Sequence, residues 1–134
     1  RWMPERAPEG PMTLVLSGAG QTLLVLRNGV EIGRAEVGIV GEAPLGERAY
    51  LLLGRDGEGG DRMLPDRPAL RWQAIALDAS AEPGGLAGRL RLPEAFARAV
   101  HDALAPGATV IVTDEPLGIG VSDLTVLEAG DGRE

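Results

Sequence analysis

The chain has 134 residues and a formal net charge of −7, enough for one substantial core and not for two. Cysteine is absent, which excludes disulfides, thiolate metal sites and thiol nucleophiles. The negative balance argues against a nucleic-acid partner, because phosphate binding needs clustered positive charge, and no apolar run reaches the length of a bilayer span.

Residues 1–11, RWMPERAPEGP, mix prolines and charges without periodicity and read as an extended leader, pinned to the body or left exposed at Trp2. Because the chain starts at Arg1, it reads as a fragment or a processed form, compatible with a removed export signal. From Met12 the pattern turns to β. MTLVLS and QTLLVLR are short apolar runs separated by Gly18-Ala19-Gly20, a turn signal. Asn28-Gly29 then predicts a tight hairpin, since both residues tolerate the positive φ of a type I′ turn. The returning strand VEIGRAEVGIV alternates imperfectly, and Gly33 marks a candidate bulge.

After a loop at 41–46, ERAYLLL predicts another strand. Residues 54–70 are rich in Gly, Asp and Pro and read as a long irregular connection. Asp56, Glu58 and Asp61 within it hint at calcium. Arg67 stands where an EF-hand type loop needs its final Glu, so a solvated loop is the better reading.

RWQAIALD reads as a buried strand over residues 71–78. LPEAFARAVHDAL is the one clear helix, with Pro93 in its first turn and Phe96, Ala97, Val100 and Leu104 on one apolar face. Pro106-Gly107 ends it. ATVIVTD is a further strand, SDLTVL one more, and residues 129–134 a flexible tail. The expected architecture is mainly β, a sandwich or barrel of about seven or eight strands with one main helix, in a single domain over residues 12–128.

Several stretches together resemble the L,D-transpeptidase catalytic domains (YkuD-type) of bacterial cell-wall enzymes. Leu26-Arg27-Asn28-Gly29 resembles the family's "YRNG", and Ala43-Pro44-Leu45-Gly46 its "TPTG" loop. Trp72, Ile75, Ala76 and Leu77 match "W-x-GIALHAG", and Leu86 to Pro93 fall on the signature "SHGC-[VI]-RLP". The helix EAFARAVHDAL and the strand GATVIVTDEP continue the likeness over nearly the whole chain.

The resemblance implies a Cys nucleophile, an adjacent His base and backbone donors for the oxyanion. Here the Cys position is Arg89, the His position Ala87, the Ser position Leu86, and a second family His is Asp78. Gly88, Arg91, Leu92 and Pro93 are retained. An arginine guanidinium stays protonated and cannot attack an acyl group, and neither Leu86 nor Ala87 offers a base. The expectation is therefore a pseudoenzyme without catalytic residues, cofactor or metal, set in the periplasm or otherwise exported. Its expected partner is a peptidoglycan stem peptide or a cell-envelope protein. The alternatives are a residual peptidoglycan-acting enzyme with unconventional residues and a purely structural interaction domain.

Other groups near the signature are weaker candidates. Ser80 needs a base, and His101 is the chain's only histidine; a helix-side role suits it better than a catalytic one. Asp78 and Glu82 form a carboxylate pair of the kind glycosidases use, but no spacing can be read from sequence and acidic residues after a strand end are ordinarily solvated. Arg89 and Arg91, if extended, face one groove and form bidentate pairs with a carboxylate. The competing reading has Arg91 architectural and Arg89 paired with Asp78, filling the vacated site. Trp72 and Tyr50 are candidates to line a peptide groove, with core packing the plainer role for Trp72.

Overall fold

The Asn28-Gly29 signal is realised first. Asn28 and Gly29 adopt φ of 54° and 80° and join Thr22–Arg27 (β2) to Val30–Glu36 (β3). In this computed structural model, which describes residues 1–77 and 86–117, Met12–Ser17 (β1) pairs antiparallel with β2. The run VEIGRAEVGIV divides in two, because Gly38–Ile39 (β4) leaves the main sheet after Val37. Arg48–Gly54 (β5), Arg71–Leu77 (β6), the single turn Leu86–Arg89 (α1), Leu90–Arg91 (β7), Glu94–Ala103 (α2) and Thr109–Thr113 (β8) follow.

The protein is mainly β, with eight strands among the described residues. Six form a mixed sheet in the order β3-β2-β1-β8-β5-β6, and β4 with β7 makes a separate two-stranded ribbon. β8 inserts between β1 and β5, parallel to the first and antiparallel to the second. No helix among the described residues is long and apolar enough to cross a membrane.

Alternation along the strands sends Leu14, Leu16, Leu23, Val25 and Val112 to one face. There they form the main core with Phe96, Val100 and Leu104 of α2. The predicted apolar face of α2 is thus the buried one, with His101 added to it. Pro93 sits at the N-cap, one residue ahead of the helix, where its missing N–H costs nothing. Arg55 caps the other end, its Nη1 donating to the carbonyls of His101 (2.8 Å) and Leu104 (2.6 Å), so a cation meets the negative end of the helix dipole. On the opposite face of the sheet Leu117 covers Val15 and Leu24.

Two local expectations find their cause here. Val25 pairs with Gly33 while Leu26 pairs with Glu31, so Ile32 is the extra residue of a bulge and is wholly buried. Gly33 also lies against the leader. Trp2 bridges to it, Met3 N–H donates to the Ile32 carbonyl at 2.7 Å, and the Trp2 ring meets Phe96 edge-on at 5.8 Å. Trp2 is therefore an anchor, and the leader extends the β3 edge, with one 3-10 turn at Pro4–Arg6.

A Cβ at Gly33 would stand 2.8 Å from the Trp2 ring. Gly33→Ala should lower stability by about 1–2 kcal/mol through overpacking, read as an earlier midpoint in urea. The Gly33→Ala, Trp2→Ala double variant should lose less than the sum of the two.

β6 departs from expectation. It is an edge strand, and the register shift between Ala49 and Tyr50 leaves Ile75 as an unpaired extra residue, 54% exposed. The apolar run reads as a buried strand.

The 54–70 connection is tied down by ion pairs. Asp66 bonds Arg98 at 2.8 Å, Arg67 bonds Asp102 at 3.0 Å and Asp56 bonds Arg71 at 3.0 Å. Hydrogen bonds from these arginines hold the three carboxyls below their ordinary pKa. Asp61 Oδ1 accepts the N–H of Met63 and of Leu64. Asp56, Asp61 and Asp66 are therefore engaged in shaping this loop.

Glu31 forms the corresponding tie at the β3 edge. Its carboxylate accepts two bonds from Arg34 and one from Arg1, and its pKa falls, mainly through the Arg34 hydrogen bond. A carboxyl depressed by folding stabilises above its unfolded pKa, and that contribution vanishes as pH falls through the folded value. Stability should therefore hold steady above about pH 5 and decline below it, and Glu31→Gln should make the decline shallower in urea titrations.

Candidate functional site

The signature stretch from Leu86 to Pro93 is built against the loop that follows β4. Leu86-Ala87-Gly88-Arg89 closes one helical turn before β7 begins. β7 pairs with β4, Gly38 opposite Arg91 and Ile39 opposite Leu90, and Val40 N–H donates to the Arg89 carbonyl at 2.7 Å. The backbone of the signature is thereby fixed to residues 38–40.

The Arg89 side chain continues the same contact. Its Nε donates to the Val40 carbonyl at 2.8 Å and its Nη2 to that of Ala43 at 2.5 Å. Longer bonds of 3.4 Å reach the carbonyls of Pro44 and Gly41. Gly41 has a φ of 89°, a left-handed geometry that turns the loop at the point of contact. A planar guanidinium with five donors suits a curved row of carbonyls, which a lysine could not span.

The far side of the loop is held equally firmly. The Asp114 carboxylate accepts the N–H groups of Leu45 (2.8 Å) and Gly46 (2.9 Å). Glu47 accepts from the Thr113 hydroxyl and the Asp114 N–H. Arg48, only 5% exposed, donates to the Leu45 carbonyl at 2.8 Å and to the Tyr50 hydroxyl at 3.1 Å. Residues 40–48 are thus clamped between Arg89 on one side and the end of β8 on the other. Sequence reading named none of Arg48, Glu47 and Asp114. Only Asp114 left a trace, as the acidic end of a β-branched run.

The other candidates separate. Arg91 is exposed, and its Nη1 folds back to the carbonyls of Gly88 (3.0 Å) and Leu90 (2.9 Å). Because Arg89 ends a helical turn, the two arginines do not alternate along one strand. Arg91 borders a groove together with Arg62 and Arg98; Arg98 is already paired with Glu94 and Asp66. Trp72 and Tyr50 come together on the wall of a neighbouring cavity of about 540 Å³, which Leu86 and Ala87 also line. Gly88 lies on the groove side. Asp78, Ser80 and Glu82, and with them the Asp78–Arg89 pair, lie outside the described residues, as does SDLTVL.

His101 is 4% exposed, more deeply placed than a helix-side position suggested. Its Nε2 donates to the Pro68 carbonyl at 3.0 Å and lies 3.7 Å from Asp61, while Nδ1 has no hydrogen-bond partner. It fastens the 54–70 loop to α2. Chemically, then, the signature region among the described residues offers two guanidiniums, Arg89 bound to loop carbonyls and Arg91 exposed, set among apolar side chains. Compared with the sequence patterns of known protein families and with curated proteins, the chain matches none.

Proposed function

We propose that the chain is a catalytically inactive domain of L,D-transpeptidase type. It would act at the bacterial cell envelope by binding, either to peptidoglycan or to a cell-wall protein that it regulates or scaffolds. The observation that carries this reading is the Arg89 guanidinium. At the position where the resembled enzymes hold their nucleophile, it is spent on the carbonyls of Val40 and Ala43. A protonated guanidinium cannot form an acyl-enzyme, and Leu86 and Ala87 beside it carry no group able to take a proton. What survives around the signature serves recognition: the exposed Arg91, with the half-buried Trp72 and Tyr50 on the wall of the neighbouring cavity. A periplasmic or otherwise exported setting follows from the same reading.

The test has two arms. Purified protein should cosediment with isolated peptidoglycan, more weakly after Arg91→Ala, and should release or exchange no muropeptide stem residues. Muropeptide turnover that an Asp78→Ala or Ser80→Ala substitution abolishes would replace the pseudoenzyme with an unconventional enzyme. Failure to sediment, with a stable protein captured from envelope extracts, would remove the wall-binding form and leave the scaffold.

A further inference from the structure

The cavity of about 540 Å³ beside the signature has a chemistry of its own. It lies between the core face of the sheet, represented by Leu16 and Val110, and Val100 of α2, with Ala87 of α1 and Trp72 on its other sides. Its volume falls within the range of small-molecule sites. Its walls are mainly apolar and open to water, and apolar surface left exposed in this way forgoes the free energy of burial. An apolar occupant recovers that loss.

The polar groups on the lining say where the occupant's head would go. The Tyr50 hydroxyl is taken by Arg48, the Asp61 Oδ1 by two backbone N–H groups and His101 Nε2 by the Pro68 carbonyl, while the unpartnered His101 Nδ1 is sealed from solvent. Arg62 differs. It is exposed, makes no hydrogen bond or ion pair among the described residues, and borders both this cavity and the groove that holds Arg91. Glu58 is the one acidic side chain on the rim without such a partner. The cationic side of the mouth is therefore the side shared with the groove.

We propose that the cavity binds a single-chain amphiphile with an anionic head, its acyl chain between sheet and α2 and its carboxylate at Arg62. The cavity shares Trp72 and Tyr50 with the recognition surface proposed above, but the inference does not rest on that role: it is read by amphiphile binding, on which peptidoglycan sedimentation does not report.

Dodecanoate, dodecyltrimethylammonium and a neutral dodecyl maltoside, each below its micellar concentration, are the probes. Calorimetry and Trp72 fluorescence read the binding, with Trp72→Phe assigning the optical signal. Dodecanoate should saturate at one per chain and bind at least tenfold tighter than the cation. Arg62→Glu, an exposed change that the fold tolerates, should weaken dodecanoate at least fivefold and abolish the preference for the anion. Ala87→Trp should fill the space and weaken every probe at least tenfold. An absence of saturable dodecanoate binding, as a space already filled would give, overturns the proposal. So does equal affinity for the cationic probe, or an Arg62→Glu protein that binds dodecanoate as before.

Discussion

Arg89→Ala should cost about 2–3 kcal/mol of unfolding free energy, taking its two short charge-assisted bonds at the usual value and discounting for partial exposure. The side chain acts on the whole 40–44 loop, because its donors reach Val40, Gly41, Ala43 and Pro44 from one rigid plane. Removing it leaves these carbonyls to water, with the loop held to α1 only through the Val40 N–H bond to the Arg89 backbone carbonyl. Arg89→Lys should recover less than half of the loss, since an ammonium cannot bridge the row. Arg89→Cys separates stability from chemistry most sharply. It should lose as much stability as the alanine variant and gain no muropeptide turnover, because position 87 supplies no base. Urea unfolding and a muropeptide assay on the same preparations decide both points, and turnover in Arg89→Cys alone would contradict the proposed loss of function.

Phe96→Ala should have the larger effect, about 3–5 kcal/mol, as expected for a buried aromatic removed from a core. Phe96 is where three parts of the protein meet: α2 carries it, the sheet face receives it, and Trp2 of the leader closes over it at 5.8 Å with an interplanar angle of 88°. Trp2→Ala alone should cost less, because Trp2 is only partly buried. A double-mutant cycle should leave about 0.5–1.5 kcal/mol of coupling, the value of an edge-to-face pair beyond its buried area. Additive losses would mean that the leader is held by its backbone bonds to β3 and not by the ring contact.

Sequence reading succeeded where the determinant was local. Asn28-Gly29 encoded its hairpin in two residues, and the spacing of Phe96, Ala97, Val100 and Leu104 encoded the buried face of α2. It was incomplete where partners are distant. β6 looked buried because its residues are apolar, but its place at the sheet edge and the bulge at Ile75 depend on how it pairs with β5. The depth of His101 depends on Pro68 and Asp61 crossing over α2 from a loop with no periodicity.

The site follows the same division. That Arg89 stands where the resembled family holds a nucleophile was visible from the motif. Where its guanidinium goes was not, because the accepting carbonyls lie 45–49 residues earlier and any residue type could supply them. Arg48, Glu47 and Asp114 were missed for a related reason. Each is an ordinary charged residue at a strand end until the loop and β8 are brought together.

The position of β8 also dictates an order of assembly. Thr13 and Thr109, 96 residues apart, sit opposite each other at the middle of the sheet. During synthesis the β1–β2–β3 meander and the β5–β6 pair can form as they emerge, but they remain two separate halves until the stretch through Thr113 leaves the ribosome. Only then does β8 slot between them, and closing so long a loop is slow. Until that moment the flanks of β1 and β5 are open edges, so the nascent chain passes through a stage at which a chaperone has most to protect.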